Sequence, residues 1–260
     1  MFGLTKRRRQ RLLATPLPAA SLSILKRRVP LYRRLPPTER EKLPGLVQVF
    51  LAEKRFEGCG GLAITEEISL TIASQACVLL LGRRHDFYPL LRSILVYPAG
   101  FVTNEELEEV EGIVGVDDGE RTGESWAQGA MVLSWQDILD DLAAPGDGWN
   151  VVLHEFAHQL GDETGDDDGV PTLSEPAAQA RWAEVLDREF AALVRASERG
   201  RRTMVDDYGA DSPAEFFAVV TEHFFTEPAR LKIRHPDLYA QYRIFYGLDP
   251  LSWPADPLRP

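Results

Sequence analysis

Val151-Val152-Leu153-His154-Glu155-Phe156-Ala157-His158-Gln159-Leu160 decides how the rest of the chain is read. Its apolar positions predict a buried helix, and helical residues four apart lie one turn apart on the same face. His154 and His158 can therefore bring two imidazoles to one ion. Zinc takes neutral imidazole nitrogen, and a catalytic zinc usually keeps three protein ligands and one open position. Glu155, about 100° further round the helix, would take a proton from water at the metal rather than ligate. Two histidines and a glutamate on one apolar helix with no task would carry a desolvation cost with nothing to offset it.

The third ligand must come from elsewhere, and several side chains compete. Ser212-Pro213-Ala214-Glu215 is a capping box with proline at the first helical position, which alone would explain Glu215. Glu222, seven residues on, shares the same face of that helix. Asp187 and His223 are weaker candidates, and spacing leaves Glu215 and Glu222 both open.

The chain has 260 residues, 44% of them hydrophobic, enough to bury a sizeable core. No run approaches a membrane span: the longest apolar pattern, 68–81, is broken by Ser69, Thr71, Ser74 and Gln75. Cys59 and Cys77 form no disulfide framework and lack metal-ligand spacing, which fits a reducing, cytoplasmic setting. Residues 1–34 hold ten Lys/Arg and no acid, so a total of −11 leaves −21 on the remainder. An acidic body of that kind is a poor nucleic-acid binder. Residues 1–20 read as a basic, flexible arm, and 21–260 as one domain with a helical part to about 92 and a catalytic part from about 93.

In chain order, Thr38 is expected to cap a helix running towards Lys54, with a break at Pro44. The glycine-rich 56–61 lacks the ending of a phosphate loop. Thr65-Glu66-Glu67 starts a helix that ends near Gly82, and 93–97 reads as a buried strand ended by Pro98. An acidic excursion covers 103–125, and 130–135 is a second strand expected to line the cleft beside the metal helix. Gly161 reads as that helix's stop. An acidic loop follows, then helices over 174–199, from Ser212 through Phe225, and over 231–245.

Three further blocks, Phe56-Glu57-Gly58-Cys59-Gly60-Gly61-Leu62, Ile94-Leu95-Val96-Tyr97-Pro98 and Val132-Leu133-Ser134-Trp135, accompany the His-Glu-x-x-His string and residues 207–225. In this order and spacing the chain resembles the Mlc titration factor A family of zinc peptidases from about residue 30 onward. The resemblance implies an α+β, mostly helical, zincin-like fold of gluzincin type with a small sheet. It implies one Zn²⁺ per chain on His154, His158 and Glu215, with Glu155 as general base and Tyr208 assisting the transition state. It further implies aminopeptidase-type cleavage of peptides. The alternative is a regulatory protein that sequesters a transcriptional repressor, as the family's founding member also does. One departure stands out: Gly161 occupies a position where the family usually has aspartate, with Asp162 next.

Overall fold

The computed structural model describes residues 6–99, 129–163 and 168–258, so the acidic excursion 103–125 and residues 164–167 of the acidic loop lie outside the described residues. Helices α1 (Lys6–Ala14), α2 (Ala19–Arg28), α3 (Pro30–Arg34) and α4 (Pro37–Glu53) lead into strand β1 (Arg55–Gly58), helix α5 (Glu66–Val78) and strand β2 (Ser93–Tyr97). Strand β3 (Ala130–Ser134) runs directly into α6 (Trp135–Ala143), followed by α7 (Val151–Asp162) and α8 (Pro176–Ser197). A 3₁₀ turn (Asp207–Ala210) precedes α9 (Pro213–Thr226), α10 (Pro228–Arg234) and α11 (Pro236–Tyr246).

The strands form a parallel sheet of order β1-β2-β3, with Phe56 opposite Ile94 and Ile94 opposite Met131. Parallel neighbours need a crossover, which α5 supplies between β1 and β2. The central strand is buried continuously from Ile94 to Tyr97, as expected where both faces are covered. The described fold is therefore mostly helical with a small sheet, consistent with α+β. β1 is an addition: three of its four residues sit in the glycine-rich stretch, where no apolar alternation marks a strand.

Two helices carry the architecture of the site. Asn150 starts α7, its side chain accepting the Leu153 N–H at 2.9 Å, and Val152, Leu153, Phe156, Ala157 and Leu160 fill the core. Ser212 starts α9 by accepting the Glu215 N–H at 3.1 Å, and every residue from Phe216 to Phe225 is buried. A helix buried all round belongs in the centre of a fold, and α9 packs against α7 on one side. On its other side Trp182, Tyr242 and Phe245 surround Phe217, with ring centroids 5.5–6.1 Å from it. Phe156 of α7 in turn meets Phe50 of α4 at 5.6 Å and Tyr88 at 4.8 Å.

Several boundaries differ from the sequence reading. α4 starts at Pro37 after an uncapping Pro36, so Thr38 is no cap, and Pro44 lies inside the helix. Interior proline costs about 3 kcal/mol, but Val47, Val49 and Phe50 beyond it are fully buried. Each such side chain contributes about 1.5–3 kcal/mol, so burial wins and the helix continues. α5 ends at Val78, short of Gly82, although Thr65 caps it as expected. Gly161 lies in the last turn of α7, one residue before its end at Asp162, and a Cβ there would lie 1.9 Å from the Gly169 carbonyl oxygen. The returning chain passes against α7 at that point, which leaves no room for a side chain at 161. The segment 231–245 is two helices, because His235 precedes Pro236 and is pushed out of helical geometry (φ −135°, ψ 64°).

Where a flexible basic arm is expected, Lys6–Ala14 is a helix lying on α4. Arg9 pairs with Glu53 at 2.6 Å and with Asp86, and its guanidinium stands 5.0 Å from the centre of the Phe87 ring. Gln48 donates to the backbone carbonyls of Leu12 and Thr15. Arg9 thus finds acidic partners on the body, which the charge asymmetry alone could not localise.

Candidate metal centre

The i, i+4 spacing on α7 sets the two imidazoles side by side, with His154 and His158 ring centroids 4.9 Å apart and their Nε2 atoms 3.2 Å apart. The Ser212 cap fixes the first turn of α9 against them. Glu215 uses its backbone N–H for that cap but sends its carboxylate away from the capping box, 3.0 Å from His154 Nε2 and 3.3 Å from His158 Nε2. His154, His158 and Glu215 thus each offer a ligand atom, all within 4.8 Å of one another, a group that could hold a metal ion. Two imidazole nitrogens and one carboxylate oxygen suit zinc's preference for N and O donors.

Electrostatics agree with a site built for a cation. Burial alone would lower the His154 pKa, yet hydrogen bonds to Glu215 and Glu222 outweigh it and lift the value to about 10. Burial would raise Glu215, but the two histidines hold it down at about 2. A protein that concentrates this much negative charge on one imidazole is set to receive positive charge. Glu155 points the other way: burial pushes its carboxyl above the usual range, His154 and His158 lowering it in part. A carboxylate raised in that manner is suited to accept and return a proton.

Glu222, the rival for the third ligand position, is not in the cluster. It lies on the far side of the same ring, with Oε1 2.8 Å from His154 Nδ1 and Oε2 accepting the Asn150 backbone N–H. Asp187 lies among Pro213, Phe216 and Trp182 around a small cavity, and His223 pairs with Glu227 at 3.1 Å. Neither belongs to the cluster. Asp162 lies near enough to His158 for their charges to interact.

Tyr208 is brought in by the 3₁₀ turn that Asp206 starts, its side chain accepting the Tyr208 N–H at 3.0 Å. The tyrosine ring lies 5.9 Å from the His154 ring, and its hydroxyl is close enough to Glu215 to feel that carboxylate's charge. Burial, and then the negative charge of Glu215 and Glu155, raise its pKa and keep it protonated. At 40% exposure it has room to meet a bound molecule. A cavity of about 560 Å³ opens at the start of α7, lined in part by Gln75, Asp141, Trp149 and Asn150, and none of the three cluster residues lines it.

The model of the glucose-regulated metallo-peptidase M90 family matches residues 4–247. The chain belongs to this family. Similarity within the family is spread over most of the chain. An uncharacterized protein of Synechocystis sp. is 41% identical over 245 residues, covering 94% of this chain and 89% of its own. The Mlc titration factor A of Klebsiella pneumoniae is 35% identical over 231 residues, 86% of this chain and 84% of that protein. An Escherichia coli Mlc titration factor A is 34% identical over 227 residues with the same coverage. Membership of the M90 family makes this a metallopeptidase relative, and the His154, His158 and Glu215 cluster is where a metal fits it.

Sequence reasoning missed Asn150, whose importance lies in contacts to distant helices, and read Glu222 as a competing ligand. The available clue was the seven-residue interval between Glu215 and Glu222. It correctly put both acids on one face but could not say which nitrogen each would meet.

Proposed function

We propose that this chain is a zinc-dependent peptidase, aminopeptidase-type, with residues 21–260 acting as one cytoplasmic domain. The observation that carries the reading is the cluster of His154, His158 and Glu215, with Glu155 adjoining it on α7. Zinc, when bound, supplies a Lewis acid that polarises the scissile carbonyl and acidifies water. His154 and His158 would hold the ion from α7, and Glu215 would complete the set from α9. Glu155 accepts the proton of the attacking water and passes it to the departing amine. Tyr208 donates a hydrogen bond from its hydroxyl to the oxygen on which negative charge develops. Among the described residues no helix is long and apolar enough to cross a membrane.

The test uses Glu155→Gln, which keeps shape and removes the base. Zinc content should stay at about one per chain, while turnover of aminoacyl reporter substrates should fall by about 10²-fold or more. Near-normal turnover with zinc bound would remove Glu155 from the chemistry. The name Mlc titration factor A, borne by relatives, favours a second reading as a protein that sequesters a transcriptional repressor. A wild-type chain that cleaves none of a broad peptide panel yet binds such a regulator tightly would put the second reading first.

A further inference from the structure

We infer that Glu222 is a positioning residue of the metal centre, holding His154 by Nδ1 so that Nε2 is the nitrogen presented to the ion. The inference rests on the metal reading above. Glu222 is 1% exposed in the middle of α9, where an acid needs a strong reason to stay. Both of its oxygens are engaged, Oε1 at 2.8 Å from His154 Nδ1 and Oε2 with the Asn150 N–H. An ionised carboxylate only accepts, so the ring nitrogen facing it carries the hydrogen. A ring that binds zinc is neutral, so with the hydrogen on Nδ1 its lone pair is on Nε2. That nitrogen is the one turned towards His158 Nε2 and the Glu215 carboxylate.

The carboxylate is itself held. Asn150 supplies the N–H that fixes Oε2, accepts the Leu153 N–H through Oδ1, and donates from Nδ2 to Gln75 Oε1 at 2.7 Å. One residue therefore references the start of α7, the carboxylate of α9 and the side of α5 to one another. His154 sits one turn beyond it on α7, so helix start and ring rotation are set by the same network. Glu215 and Glu222, seven residues apart, meet opposite nitrogens of a single ring. α9 thus contributes both a candidate ligand and the group that aims its neighbour. Outer partners of this type strengthen the ligand and fix its orientation.

Glu222→Gln is the informative change, because an amide has one acceptor oxygen and cannot serve both the Nδ1 hydrogen and the Asn150 N–H. The full chain, stripped of metal, would be titrated with zinc against a competing chelator, and its metal-free melting temperature recorded. The expected result is a zinc Kd raised about tenfold to a hundredfold, with a metal-free chain that still unfolds cooperatively, its Tm lowered by about 2–10 °C for the donor left unpaired. A variant Kd within about twofold of wild type would overturn the inference and leave the metal reading intact. If the variant does not fold, nitrogen NMR of histidine in the zinc-loaded wild type decides. A hydrogen on His154 Nδ1 with zinc on Nε2 supports the inference, and zinc on Nδ1 overturns it. A wild type that takes up no zinc removes both readings together.

Discussion

At Tyr208 and Asp141 a single polar group can be changed with little effect on shape. Tyr208→Phe deletes a hydroxyl that lies beside Glu215 and leaves a ring 5.9 Å from His154. If that hydroxyl stabilises developing charge, turnover should fall by about 10²–10³-fold, with zinc content and Tm unchanged. Turnover within about twofold of wild type would leave the ring as packing. Asp141 accepts the Val151 N–H at 2.7 Å at the start of α7, while burial pushes its pKa from 3.8 up to about 6. A folded-state value above the unfolded one means that the associated stability is present below 3.8 and lost as pH rises through about 6. Asp141→Asn stays neutral and can still accept the hydrogen bond. It should raise Tm relative to wild type at about pH 7.5 and give no gain at about pH 4, read by calorimetry at both.

The joint between α1 and α4 shows how one element depends on another. Helical Gly45 faces the end of α1 so closely that a Cβ would lie 2.6 Å from the Leu13 carbonyl oxygen. Replacing a helical glycine by alanine normally gains about 0.4–1 kcal/mol. Here the added methyl must push α1 off α4, with loss of the Gln48 and Arg9 contacts. Gly45→Ala should therefore lower Tm in the full chain. In a chain lacking residues 1–15 the same substitution should be neutral or stabilising, since the obstructing carbonyl is gone. Equal effects in both chains would show that α1 does not press on Gly45 in solution.

Across the whole molecule the candidate site joins α7 and α9, the two helices at the centre of the packing, so metal binding and global stability should be linked. Free zinc at about 100 times its Kd adds about 2.7 kcal/mol, which for a chain of this size is a Tm rise on the order of 5–10 °C. Calorimetry with zinc and with chelator should show that difference, and His154→Ala should abolish it. If 21–260 is one domain, unfolding should also be a single cooperative transition. Two separated transitions would divide the helical part from the catalytic part. An unchanged Tm with zinc would speak against a metal held between α7 and α9.

The sequence by itself determined what is local and periodic. The apolar spacing of 151–160 set a buried helix with His154 and His158 on one face, and Ser212 with Pro213 set the start of α9. Thr65, one turn before Ile68, did the same for α5. Tertiary structure gave Glu215 and Glu222 different places around one ring, because two acids on one helical face are equivalent until a partner helix arrives at a given height and rotation. α7 arrives with Nε2 of His154 towards Glu215 and Nδ1 towards Glu222. The same holds for Gly161, whose stop-like identity was legible but whose cause is a chain segment folded back across α7. It holds for Lys6–Ala14, whose charge was plain but whose acidic partners, Glu53 and Asp86, lie far along the chain. Periodicity fixes which side of an element a residue occupies, and only the packing of elements fixes which atom it meets.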